Sequence, residues 1–227
     1  MAQDGFAERI SKVGALTDPI RRALYHFVAH QPGSVSRDQA AEGIDVPRHT
    51  AKFHLDKLVD EGLLITEFRR LSGRSGPGAG RPAKLYRRAR SEINVSLPRR
   101  RYDLASQVLA DAVERALAGT PMRAALAEAA EEGARVVTES WPRNRGTELE
   151  RMEALLARLG YEPRVDHEAV EVRNCPYQQL STEHPDLVCP MNRDFIEAAG
   201  RRLECAAIVV ESIDPGTRCC VRVRVAT

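Results

Sequence analysis

The chain has 227 residues, 43% hydrophobic and 29% charged, with a formal net charge of +2; this is a globular balance that excludes wholesale disorder. No run approaches the roughly 18 uncharged apolar residues of a membrane span. The opening MAQDGFAERISKV is amphipathic and balances Asp4 and Glu8 against Arg9 and Lys12; it is not a basic run leading into an apolar core, so a cytoplasmic location is expected. The net charge hides an asymmetry: residues 1–101 carry 19 Lys and Arg against 11 Asp and Glu, whereas the remainder carries 15 against 21. A basic half suited to a polyanion and an acidic half with another task are expected.

Asp18-Pro19 opens the first clear helix, with Asp18 placed to cap the free N–H groups and Pro19 at the first helical position. Ile20, Ala23, Leu24, Phe27 and Val28 form its apolar stripe, and Gln31-Pro32-Gly33 ends it. Ser36 then caps a short helix with Gln39 as its capping-box partner, and residues 43–46 form a turn. Pro47 begins a third helix that runs to Glu61 and stops at Gly62. Ala51, Leu55, Leu58 and Val59 share its inner face. Arg48, His49, Thr50, Lys52 and Phe53 occupy its outer, N-terminal side, where a recognition helix meets base edges in the major groove. Thr50 and Lys52 are the strongest individual candidates. His54 is either a phosphate ligand or a partly buried helix residue.

Residues 63–68 read as a strand, with Lys84-Leu85-Tyr86-Arg87 as its returning partner. Between them lies a basic stretch rich in Gly and Pro, residues 69–82, with no regular structure expected. A hairpin with a long basic tip is a wing; Arg74, Arg81 and Lys84 are its candidate phosphate contacts, giving affinity without sequence information. The stretch Leu16 to Arg88, carried by LTDPIRRALYHFV, the SxxQAAEGIDVPRHTAKFHLDKLVDEGLL core and the RPAKLYR return strand, resembles the ArsR-like and MarR-like winged-helix repressors. The resemblance implies a DNA-binding transcription regulator, a repressor and no enzyme, acting on double-stranded DNA.

After Leu97-Pro98, Tyr102 to Leu117 reads as an amphipathic helix, followed by an Ala-rich helix from Pro121 to about Trp141. Such alanine density suits either a homodimer seam, as a two-fold operator requires, or a helix covering its own C-terminal domain; the former is favoured. A helix at 149–159, strands near 162–165 and 169–173, short helices at 177–183 and 187–199, and strands near 206–213 and 220–225 with a turn at 214–216 complete a small α+β domain. The expected architecture is therefore α+β in three parts: a winged helix-turn-helix over 1–92, linking and dimerisation helices over 93–145, and a cysteine-containing sensor domain over 146–227.

All five cysteines, Cys175, Cys189, Cys205, Cys219 and Cys220, fall in that last part. Thiolates are soft ligands for zinc or iron-sulfur clusters, but the CxxC knuckle of common zinc modules is absent. The ligands would have to be gathered by the fold. No nucleotide-binding glycine motif or acid-base pair accompanies the thiols, which disfavours a thiol-dependent enzyme fused to a basic domain.

The pattern Asn174-Cys175-Pro176-Tyr177, His184-Pro185-Asp186-Leu187-Val188-Cys189, Cys205 and Gly216-Thr217-Arg218-Cys219-Cys220 resembles the SufR family of iron-sulfur-cluster-binding repressors. This chain has one extra residue in the first gap and two in the second, and only Cys205-x14-Cys220 matches as spaced. The resemblance implies cluster ligands at Cys175, Cys189, Cys205 and Cys220, with Cys219 or His184 as the alternative to Cys205. It favours a 4Fe-4S cluster over zinc, and cluster-assembly or redox-stress genes as targets.

Overall fold

The computed structural model describes residues 4–70, 82–139, 141, 146–166, 168–213 and 219–226, and the chain divides into two compact units, Met1–Val95 and Ser96–Thr227. In the first unit, α1 (Asp4–Ala15) precedes α2 (Pro19–His30), β1 (Val35–Ser36), α3 (Arg37–Gly43), α4 (Arg48–Asp60), β2 (Leu64–Arg69) and β3 (Ala83–Arg88). Asp18 caps α2 by accepting from the Arg21 N–H at 2.9 Å. Ser36 and Gln39 form the expected reciprocal box on α3, satisfying two donors that the helix start would otherwise leave open.

Leu24 and Val28 of α2, Ala40 and Ala41 of α3, and Ala51, Leu55 and Leu58 of α4 meet in one buried core with Leu63, Leu64 and Tyr86. Close packing is needed at the α2–α3 crossing: a Cβ on Gly43 would enter the Phe27 ring. Gly62 takes the left-handed φ of +69° that ends α4 and turns the chain into β2. β2 and β3 pair antiparallel from Leu64 opposite Arg88 to Arg69 opposite Ala83. β3 is the central strand, since Val35 and Ser36 of β1 pair on its other edge. Neither this two-residue strand nor helix α1 is among the elements expected from the sequence, and Pro47, expected as the first residue of α4, stands at its N-cap. Arg74 and Arg81, with the wing tip, lie outside the described residues.

The second unit contains α5 (Tyr102–Leu117), α6 (Met122–Thr138), α7 (Glu148–Leu159), β4 (Pro163–Asp166), β5 (Ala169–Val172), α8 (Gln178–Glu183), α9 (Pro185–Arg202), β6 (Ile208–Ser212) and β7 (Val221–Val225). Its antiparallel sheet has the order β4-β5-β7-β6. The turn expected at 214–216 lies outside the described residues.

The segment 93–145 does not form a separate part. Leu104, Val108 and Ala112 of α5 and Ala125, Ala129, Ala130 and Ala134 of α6 share one core with Leu155, Phe195, Ile196 and Val223. The alanine face expected at a dimer seam is turned inward: a Cβ on Gly133 would stand 2.9 Å from Val108 Cγ2 and 3.5 Å from the Phe195 ring, so small residues let α5 and α9 approach α6. Val113, Leu117 and Met122 remain exposed. α9 is longer than expected, running through Pro190 to Arg202. Among the described residues, no helix is long and apolar enough to cross a membrane.

Candidate nucleic-acid interface and thiol centre

α4 buries Ala51, Leu55 and Leu58, and this fixes what its opposite face presents. Arg48, His49, Lys52 and Phe53 are exposed and Thr50 is half-buried. Phe53, 66% exposed, stands edge-on to the His54 ring with centroids 5.2 Å apart. An exposed Phe beside cations gives a surface that can meet a thymine methyl and neighbouring phosphates. His54 points the other way: its side chain is 12% exposed and its Nδ1 lies 3.9 Å from Asp18 Oδ1. Of the two roles open to His54, this placement favours the partly buried helix residue.

The helix breaks a local rule. Helix starts favour acidic side chains and a capping oxygen, because the first N–H groups and the macrodipole make that end positive. α4 has no acidic residue in its first turn and no side-chain cap from Pro47, yet carries Arg48 and His49 there and Lys52 one turn on, while its last turn holds Lys57 and Asp60 before Glu61 at the C-cap. The arrangement costs helix stability and leaves the first N–H groups of α4 without an acceptor side chain of their own helix. Such violations gather at functional sites.

Two candidate contacts have intramolecular partners. Arg48 Nε donates to Asp38 Oδ1 at 2.6 Å, and Arg48 Nη2 reaches Oδ2 of the same carboxylate. Arg37 Nε also approaches Asp38 Oδ1, at 3.2 Å. These arginine hydrogen bonds, Arg48 foremost, hold the Asp38 carboxyl below its usual range. Lys84 Nζ donates to Asp56 Oδ1 at 2.7 Å, and the Tyr86 hydroxyl donates to the same oxygen at 3.0 Å. Burial pushes Asp56 up, but the bonds from Lys84 and Tyr86 outweigh it and its pKa falls. Asp38 and Asp56 were missed in the sequence, where only spatial pairing across ten and 28 residues could have revealed them.

In the second unit all five thiols are unbridged. Cys175 follows β5, Cys189 sits on α9, and Cys219 and Cys220 lead into β7. Their thiols form a string in which each acts on the next: Cys175 on Cys219, Cys219 on Cys220, and Cys220 on Cys189. The bonds from Cys219 lower the Cys175 and Cys220 thiols to about 7 and about 6. Cys219 is pushed up by those same bonds and by burial, and Cys189 rises to about 12 through burial. The string is not a ring: among the described residues, no three His, Cys, Asp or Glu side chains surround a common point as metal ligands would.

Cys205 is elsewhere. Its thiol faces the carbonyls of Glu148, at 3.8 Å, and Leu203, at 3.6 Å, and burial raises its pKa. His184 stands exposed at the α8–α9 junction. Of the two alternatives to Cys205, the structure brings Cys219 to the other thiols.

Buried and half-buried polar groups surround the string. Asn192, 1% exposed, accepts from the Tyr161 hydroxyl and donates to Cys219 Sγ at 3.7 Å. Ser181 Oγ lies 3.6 Å from Cys175 Sγ. Arg100 Nη1 donates to Asn174 Oδ1 at 2.7 Å and to the Cys175 carbonyl at 2.6 Å, and its Nη2 donates to Gln178 Oε1 at 2.8 Å. Asn174 Nδ2 returns a bond to the Arg99 carbonyl, and the Arg101 N–H bonds the Pro176 carbonyl, each at 3.1 Å. The stretch 99–101 is thus stitched to the loop that carries Cys175.

Residues 16–67 match the family model of a helix-turn-helix domain. The match runs from the end of α1 into β2 and so contains the whole exposed face of α4. It points to a DNA-binding transcription regulator. No curated protein and no solved structure matches the chain.

Proposed function

We propose that this chain is a repressor that binds a two-fold operator as a homodimer, with an iron-sulfur centre held by C-terminal thiols setting its affinity. The observation that carries the DNA-binding part is the exposed start of α4, which has neither a side-chain cap nor an acid in its first turn and so suits phosphates and base edges. Thr50, Lys52 and Phe53 read the groove, while Arg48, His49 and the wing meet the backbone. Exposed Val113, Leu117 and Met122 supply apolar surface for pairing with a second copy.

Cys175, Cys189, Cys219 and Cys220 would hold the centre. Soft thiols that act on one another, two of them with lowered pKa, suit iron-sulfur ligation. When bound, the centre supplies an oxidisable, oxygen-labile group. The chain's own part is to transmit: Arg100 grips the Cys175 and Asn174 loop, and its segment continues directly from Val95, the last residue of the DNA-binding unit. A coupling of roughly 1–3 kcal/mol between the sites changes operator affinity some 5- to 150-fold. Cluster-assembly or redox-stress genes are the proposed targets.

The test is anaerobic purification followed by iron, sulfide and zinc analysis, a visible spectrum, and DNA-binding assays before and after air oxidation. Iron with acid-labile sulfide, and affinity that changes with its loss, support the reading. Zinc alone, or no metal after reconstitution, would sink the cluster and leave a helix-turn-helix regulator that responds through its thiols.

A further inference from the structure

We propose that Asp38 and Asp56 are specificity-determining residues, restraining Arg48 and Lys84 so that the interface binds arbitrary DNA weakly and its operator selectively. The inference rests on the DNA-binding reading of α4. Each carboxylate sits beside the expected reading face and holds a cation that would otherwise be available to phosphates.

The geometry at Asp38 limits what Arg48 can do. The guanidinium turns its Nε–Nη2 edge to the two carboxylate oxygens, so that edge is not available for paired bonds to guanine O6 and N7, the commonest specific arginine contact. Arg48 is left its Nη1 side and a charge largely offset by its partner. Arg37 approaches the same carboxylate, so one acid moderates two cations. The residues are exposed, and an exposed pair of this kind contributes little to stability. Its sign and position therefore matter more for a charged ligand than for the fold.

Asp56 acts from the other side of the interface. It lies one turn beyond Lys52 and Phe53 on α4, and its Oδ1 receives both Lys84 Nζ and the buried Tyr86 hydroxyl from β3. Lys84 also lies over the Tyr86 ring at 5.2 Å from its centroid. The wing's cation is thereby drawn onto the recognition helix in a fixed pose. Since specificity is a difference of affinities, lowering the sequence-independent part widens it.

The experiment measures binding of the full chain to a random-sequence duplex, and to an operator recovered by selection from random DNA, across a salt series. The proteins are wild type, Asp38→Asn, Asp56→Asn and the double variant. Asn retains an acceptor oxygen while removing the charge. Because each neutralised phosphate adds about 0.9 to the magnitude of the salt slope, each substitution is expected to steepen the random-duplex slope by about one. At 0.1 M salt this is a rise of roughly eightfold in random-duplex affinity. Operator affinity is expected to rise less, so the ratio of the two falls.

An unchanged random-duplex slope with wild-type binding intact overturns this inference and leaves the DNA-binding reading standing. An equal gain on both DNAs also overturns it, showing a purely electrostatic effect without discrimination. Failure of the wild type to bind any duplex removes both readings. Asp38→Asn, whose partners are all exposed, keeps the test decisive should Asp56→Asn fail to fold.

Discussion

The two units place their chemistry oppositely. In the first, the candidate groups stand on the outer face of one helix, whose buried face is Ala51, Leu55 and Leu58. In the second, the thiols lie within or against the main core, gathered from a loop, a helix and the entry to a strand, and wrapped in buried amides and tyrosines. The contrast teaches that an interface for a large partner can be altered residue by residue with little effect on folding, whereas the thiol centre and the core of its unit are one construction.

The largest expected effect falls on the thiol side. Cys219→Ser is expected to abolish iron and sulfide incorporation, because it removes the middle of the string, while Cys205→Ser retains both; metal analysis of the reconstituted variants decides. Loss with Cys205→Ser and retention with Cys219→Ser would restore the ligand set that the family resemblance implied.

On the DNA side, the double substitution Lys52→Ala with Phe53→Ala is expected to weaken operator binding by roughly 10- to 100-fold, as loss of one phosphate or base contact and one apolar contact predicts. Circular dichroism and melting should be nearly unchanged, since both residues are exposed. A large fall in melting temperature would erase the contrast between a replaceable surface and an integrated core.

A smaller effect tests the stitching of the thiol loop. Asn174→Ala removes bonds to the carbonyls of Arg99 and Gly160 and an acceptor for Arg100. It is expected to destabilise the second unit by about 2 kcal/mol, seen in denaturant unfolding, with the first unit's transition unmoved. Parallel shifts of both transitions would show that the units unfold as one.

The smallest effect is the acid response of Asp56. Its folded pKa is lowered, so between the folded and unfolded values the unfolded chain binds more protons, and stability rises with pH. The contribution is present above the unfolded value of about 3.9 and is lost as pH falls through the folded value. Asp56→Asn is expected to flatten the acid limb of a stability-versus-pH curve below about pH 5.

The first unit was largely legible because its determinants are local. Asp18-Pro19, Ser36 with Gln39, and the Ala51, Leu55, Leu58 spacing each act within a few residues, and each recurs in the fold. Pairing between distant residues was not legible: nothing near Asp56 announces Lys84 and Tyr86. In the second unit the helices and strands could be read, but not which thiols meet. Spacing cannot distinguish Cys219 from Cys205 when the choice depends on how β7 lies beside α9. The alanines of α6 likewise signalled close approach without naming the helix approached.

The uncapped start of α4 has a consequence for order rather than affinity. A helix whose first turn lacks both a side-chain cap and an acid leaves its first N–H groups open to an incoming acceptor. Phosphate oxygens arriving at residues 48–50 would supply both missing elements, so the nucleic acid would finish the helix that reads it. Amide exchange at those three positions should then slow on binding more than anywhere else in the unit.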